Sequence, residues 1–209
     1  MASAVDPVVL EGRSVRLEPL ALEHVPALVA ASDGDRSTFG FTFVPDGAAA
    51  TERYVRTAIK ERDDGVSLPF ATVDGARGVV VGSTRFMDIQ YWNWPTGNPN
   101  QRGAEYPDAV EIGHTWLGPE AQRSAVNTEA KLLMLTHAFE EWRVHKVFLK
   151  TDERNSRSRN AILRLGTRFD GVVRAQMPAY DGGIRNTAYY SLLDSEWPEA
   201  KAALTAKLR

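Results

Sequence analysis

The sequence has no cysteine among its 209 residues. That absence removes disulfides, thiolate metal sites and a cysteine nucleophile together. No apolar run approaches the length of a membrane span, and the opening residues MASAVDPVVLEG lack the basic end and apolar core of a signal peptide. Neither sign of charge is in excess. The formal net charge is −2 and basic residues are spread along the chain, so neither nucleic acid nor a membrane is an expected partner. The four histidines, at 24, 114, 137 and 145, have no metal-binding spacing, so no metal is expected. The glycine fingerprint of dinucleotide sites, the Walker loop and the nucleophile elbow are also missing. A soluble, cytoplasmic protein is the expectation.

What is present is an ordinary globular composition, 43% hydrophobic and 25% charged. No repeat or linker interrupts it, and the length suits one domain spanning 1–209. SVRLEPL (14–20) alternates as a strand, and residues 21–32 carry a helical stripe with Pro26 early, where a helix tolerates it. A helix opening on Thr51 as cap is expected to run through the 50s. Strands follow at 67–74 and 78–90, joined by a glycine-containing turn, and at 109–117. A helix is expected from about Asn127 to Trp142, then a strand at 145–152 and a helix at 155–166 capped by Asn155 or Ser156. Two strands around DGG form a hairpin, and a helix started by Ser195 closes the chain.

Residues 91–107, YWNWPTGNPNQRGAEYP, join two strands that a short turn would join. Unstructured connections this long are uncommon in compact domains and are often functional. Tyr91, Trp92, Trp94 and Tyr106 suit contacts that are neither core nor plain solvent. The loop is expected to pack beside an acceptor cleft or across a homodimer interface; a self-packed flap is the plainer alternative.

Between the strand AVEIGHTW and the helix LLMLTHAFEEW lies WLGPEAQRSAVNTEAK (116–131). A polar strand-to-helix junction is where backbone N–H groups hold phosphates, although an ordinary capped helix start has the same appearance. The succession of strand, polar loop, helix, strand and Asn-x-x-Ser helix start resembles the GNAT acyltransferase superfamily. Within it, the similarity is to the branch acting on N-terminal amines of ribosomal proteins. The resemblance covers nearly the whole chain. It implies an α/β (α+β) fold, a mixed, largely antiparallel, twisted sheet flanked by helices. It also implies acetyl-CoA as co-substrate, with no metal.

The family's phosphate loop, Q/R-x-x-G-x-G/A, corresponds to Gln122, Arg123, Ser124, Ala125, Val126 and Asn127, followed by Thr128. Alanine and asparagine thus stand where glycines are usual, but the cradle consists of backbone N–H groups that neither removes. The resemblance implies that main-chain groups around His114, Thr115, Trp116 and Leu117 bind the pantetheine and polarise the thioester carbonyl. It implies that Glu111 is the base, for which a strand-end ion pair is the plainer reading. His114 is a second candidate because an imidazole titrates near working pH, and a structural strand histidine is its plainer reading. Asn155 and Ser158 correspond to the contact with the pantetheine arm and sulfur, while both also suit helix capping. Ile162 stands where many relatives carry a tyrosine acid, which leaves protonation of the thiolate to Ser158 or a water it holds. The expected activity is acetyl transfer to a primary amine, on a protein N-terminus or a small molecule, by direct attack in a ternary complex. A catalytically silent acyl-CoA-binding sensor is the alternative.

Overall fold

The computed structural model describes residues 6–103 and 105–208. Its eight strands are β1 (Leu10–Glu11), β2 (Val15–Pro19), β3 (Ser67–Asp74), β4 (Val79–Gln90), β5 (Ala109–Leu117), β6 (Lys146–Asp152), β7 (Arg168–Pro178) and β8 (Ile184–Leu193). The helices are α1 (Val25–Ser32), α2 (Gly47–Asp63), α3 (Ala125–Thr136), α4 (Ser156–Leu163) and α5 (Trp197–Ala206). One sheet runs in the order β1-β2-β3-β4-β5-β6-β8-β7. Every neighbouring pair is antiparallel except β5 with β6. This is the mixed, largely antiparallel sheet with flanking helices expected from the sequence.

Alternating apolar residues on the strands build one core on each face. Leu17, Phe70, Phe86 and Ile112 pack with Met134 and Leu135 of α3 and with Leu204 of α5. Leu28 of α1 and Tyr54, Val55 and Ala58 of α2 pack with Ala71 and Trp116 on the other face. A parallel pair needs a long crossover, and α3 supplies it between β5 and β6.

Two irregularities shape the sheet centre. β5 pairs with β6 only at Ala109, Val110 and Glu111, although both strands run on beyond that point. Between β4 and β5 the register passes from Ser83–Trp116 to Arg85–Gly113, so Thr84 alone faces both His114 and Thr115. Such a bulge kinks its strand, and His114 takes a φ of +46° to make the bend.

Several boundaries differ from expectation. α2 begins at Gly47, a turn before Thr51, whose hydroxyl donates to the Gly47 carbonyl at 2.9 Å instead of capping the start. α3 begins at Ala125 with Ser124 as its cap, and residues 137–141 continue it as a π-helical turn. α5 begins at Trp197 behind Glu196, not at Ser195.

The long loop 91–107 is tied to the sheet end where β5 and β6 begin, opposite the N-terminus of α3. The Trp92 amide and the Trp94 indole donate to the two oxygens of Asp108 at 2.6 and 2.7 Å. Trp92 stacks on His145 with ring centroids 5.7 Å apart, and Arg102 pairs with Asp194. Ala104 lies outside the described residues. None of the loop's described residues lines the central cleft, so of the two placements expected for it the one beside that cleft is not seen.

Candidate active site

Where β5 and β6 part, the structure opens a cleft of about 690 Å³. It reaches from the N-terminal ends of α3 and α4 to the segment between α1 and α2, with β8 on its far side. Among the loop residues, Gln122, Arg123, Ser124, Asn127 and Thr128 line it. Ala125 and Val126 form the first turn of α3 without lining the cleft, and the Val126 side chain is buried in the core. Thr115, Trp116 and Leu117 line it along β5, and Asn155 and Ser158 from α4. The structure therefore brings together residues separated by more than thirty positions in the chain.

The loop's conformation bears on its missing glycines. Its left-handed residue is Arg123, with φ of +60°. Ala125 and Asn127 are helical, so neither needs the freedom that glycine supplies. Ser124 accepts from the Val126 amide at 3.3 Å and donates to the Ala121 carbonyl at 2.7 Å, fixing the turn. Gln122 donates to the Leu117 carbonyl at 2.9 Å and to the Thr38 hydroxyl at 3.0 Å, and accepts from Arg157 at 2.9 Å. One side chain thus joins β5, the α1–α2 segment and α4 beside the α3 N-terminus. There the first-turn amides and the helix dipole favour an anion.

Glu111 lies at the last residue pair before the strands part. Only 6% of it is exposed, and its carboxylate accepts from Lys150 at 2.7 Å. Lys150 also reaches Asp88 at 3.2 Å and lies over the rings of Phe148 and Tyr189. Burial pushes the Glu111 pKa above the ordinary carboxylate range, with Lys150 opposing it. His114 also lines the cleft, and its side chain is exposed there. Protein around its remaining sides disfavours its charged form and Arg85 repels it, so its pKa falls to about 4. A neutral imidazole held that low binds a proton weakly, which ranks His114 below Glu111 as a base.

Asn155 accepts from the Ser158 amide at 3.0 Å, so capping of α4 is one role it does fill. The Ser158 hydroxyl has no hydrogen-bond partner among the described residues. Ile162, 5% exposed, lies between the cleft and the core. No group of three or more potential metal-ligating side chains occurs among the described residues.

Sequence reasoning missed several lining residues. Gly113 is one. A Cβ there would meet Met87 Sδ at 2.7 Å and Glu111 Oε1 at 3.0 Å, so the missing side chain is the seat of the carboxylate. A glycine inside a strand often marks such a close approach. Gly113→Ala is expected to displace Glu111 and lower turnover by up to about 10²-fold, since misplacement by an ångström carries that cost. Steady-state kinetics beside a cofactor-binding measurement checks this, because binding should be nearly unchanged. Lys131, Lys150 and Arg185 also line the cleft and were not anticipated as site residues; Arg157 lines it too, where the sequence left a phosphate contact and a solvated arginine both open. Only Lys131 had a signal, being a charged residue in helical register with buried Met134 and Leu135.

The sequence profile of the acetyltransferase (GNAT) domain matches residues 14–168. The chain belongs to the GNAT acetyltransferase family. A solved GCN5-related N-acetyltransferase from Brucella melitensis is 32% identical, with a TM-score of 0.83 over 98% of this chain and 86% of that one. A structure from T. thermophilus described as a "putative acetyltransferase" is 33% identical, with a TM-score of 0.77 over 98% of both chains. The Bacillus subtilis (strain 168) protein described as "Putative ribosomal N-acetyltransferase YdaF" is 33% identical over 93 residues, 44% of this chain and 49% of that protein. The chain thus aligns with about half the length of that relative. The resemblance to the GNAT family stands, and the interrupted β5–β6 pairing belongs to a GNAT sheet. Among the described residues no helix is long and apolar enough to cross a membrane.

Proposed function

We propose that this GNAT protein moves an acetyl group from acetyl-CoA to a primary amine by direct attack in a ternary complex. The observation that carries the reading is one cleft containing unpaired strand main chain, the N-terminal turn of a helix and a buried carboxylate. The α3 turn suits the pyrophosphate, and Arg123 and Arg157 add positive charge at that end. The β5 main chain beyond Glu111, unpaired with β6, suits the pantetheine amides and the thioester carbonyl.

In this scheme Glu111 takes a proton from the incoming ammonium, directly or through water. The amine nitrogen then bonds to the thioester carbon, while main-chain N–H groups near the bulge hold the charge that develops on oxygen. The C–S bond breaks as the acyl carbon becomes an amide, and the leaving thiolate takes a proton from Ser158 or a water beside it. With no cysteine in the chain, an acyl-thioenzyme route is closed.

For the acceptor we favour a protein N-terminus. The description of the relative as "Putative ribosomal N-acetyltransferase YdaF" supports this, as does the exposed apolar rim that Phe41, Phe43 and Tyr180 give the cleft. Acetyl-CoA at ~100-fold above its dissociation constant is expected to raise the melting temperature by about 5–10 °C. Absence of a shift at saturating concentration overturns both the enzyme and the silent-sensor readings. Release of thiol only when an amine is present then separates those two.

A further inference from the structure

Lys131 is a buried cation for which the scheme above has no use. It is 3% exposed, on α3 seven residues after the Ser124 cap. Its ammonium donates to the hydroxyls of Thr84 at 2.9 Å and Thr115 at 2.7 Å, which are themselves 2.8 Å apart. Thr84 belongs to β4 and Thr115 to β5, so the three groups form a closed triangle across two strands and a helix. Met134 Sδ lies 3.7 Å from the Thr84 hydroxyl and brings the apolar core up to the triangle. No carboxylate among the described residues lies within pairing distance. Burial draws its pKa down to about 7, and among the described residues the charge is met by two neutral hydroxyls rather than a carboxylate.

The triangle's position is specific. Thr84 is the residue that faces two β5 residues at the bulge, and Thr115 is one of those two. The bulge lies in the part of β5 that has left β6, and Lys131 itself lines the cleft. A buried cation serving stability alone is poorly explained, because apolar replacements at such sites are often neutral or stabilising.

We propose that Lys131 is a positioning residue for acyl transfer, clamping Thr84 to Thr115 and so fixing the bulge that presents the main chain of His114 and Thr115 to the thioester carbonyl. The inference rests on the acetyltransferase reading. When protonated, its charge lies behind the segment where negative charge develops on the carbonyl oxygen, and the clamp fixes that segment through the two threonine hydroxyls. Preorganised donors of this kind act without rearrangement during reaction.

The test compares Lys131→Met with wild type in melting temperature, acetyl-CoA KM and kcat. Because the chain has no cysteine, Lys131→Cys treated with 2-bromoethylamine while unfolded, then refolded, rebuilds an ammonium at this one position. The methionine variant should melt at or above the wild-type temperature and keep its KM within about threefold. Its kcat should fall at least about tenfold, the scale of losses from supporting residues. The aminoethylated protein should recover most of that loss. Should methionine at 131 fail to fold, Thr115→Val breaks the clamp while keeping the charge, and the same fall in kcat is expected. A kcat within about twofold of wild type in the folded variant overturns the proposal, as does a loss shared equally by kcat, KM and melting temperature. Wild type that binds acetyl-CoA but turns over no amine would instead defeat the acetyltransferase reading, and this proposal with it.

Discussion

Replacing Glu111 with glutamine is expected to lower turnover at neutral pH by ~10²–10⁴-fold, the usual range for a general base. Acetyl-CoA affinity should barely change, because the carboxylate lies beyond the helix termini that suit the phosphates. The sign of the pH dependence follows from the environment of Glu111. The group works deprotonated, and burial raises its pKa. Wild-type kcat/KM should therefore fall with acid at a pH above the ordinary glutamate value of ~4.3. The glutamine variant loses that limb. Its rate should rise about tenfold per pH unit until the amine itself deprotonates, near ~8 for an α-amine or ~10 for an alkylamine. Lys150 keeps Asp88 as a partner, so the fold should tolerate the change. A variant within about twofold of wild type across the range would place the base elsewhere.

Ala125→Asp is expected to separate cofactor binding from stability. The residue is exposed in the first turn of α3. An acidic side chain there interacts favourably with the helix dipole, so the melting temperature of the free protein should hold or rise slightly. A phosphate at the same turn would meet a like charge, and affinity for coenzyme A should fall by ~10–100-fold. Calorimetric titration of the two proteins decides it. Unchanged affinity would mean that the phosphates bind elsewhere.

Much of this arrangement was legible in the chain, for identifiable reasons. Alternation at 14–20, the glycine-containing turn after 67–74, and Asn155 ahead of Ser158 are local signals, and the strands and the α4 cap follow them. Thr51 misled because a capping residue type also serves inside a helix, where its hydroxyl finds another partner, and Ser195 because it lies in the turn before Glu196, with its amide donating to Asp194. The bulge at His114 was hidden, since its cause is the register with β4, a contact between residues some thirty positions apart. The same holds for Lys131, whose partners Thr84 and Thr115 lie on two strands. Of the aromatic residues of 91–107, Trp92 and Trp94 do pack as amphipathic groups. They pack on His145 and Asp108 at the sheet end rather than at the cleft, because nothing in a loop's composition says which surface it will cover.

The most direct test is to incubate the protein with acetyl-CoA and a panel of N-terminal peptides and small amines, following thiol release and identifying products by mass. Amine-dependent release is predicted, with the acetyl group on a primary amine of the acceptor and strong dependence on Glu111. Binding of coenzyme A without release above the uncatalysed rate for any amine would contradict acetyl transfer and leave a silent acyl-CoA binder.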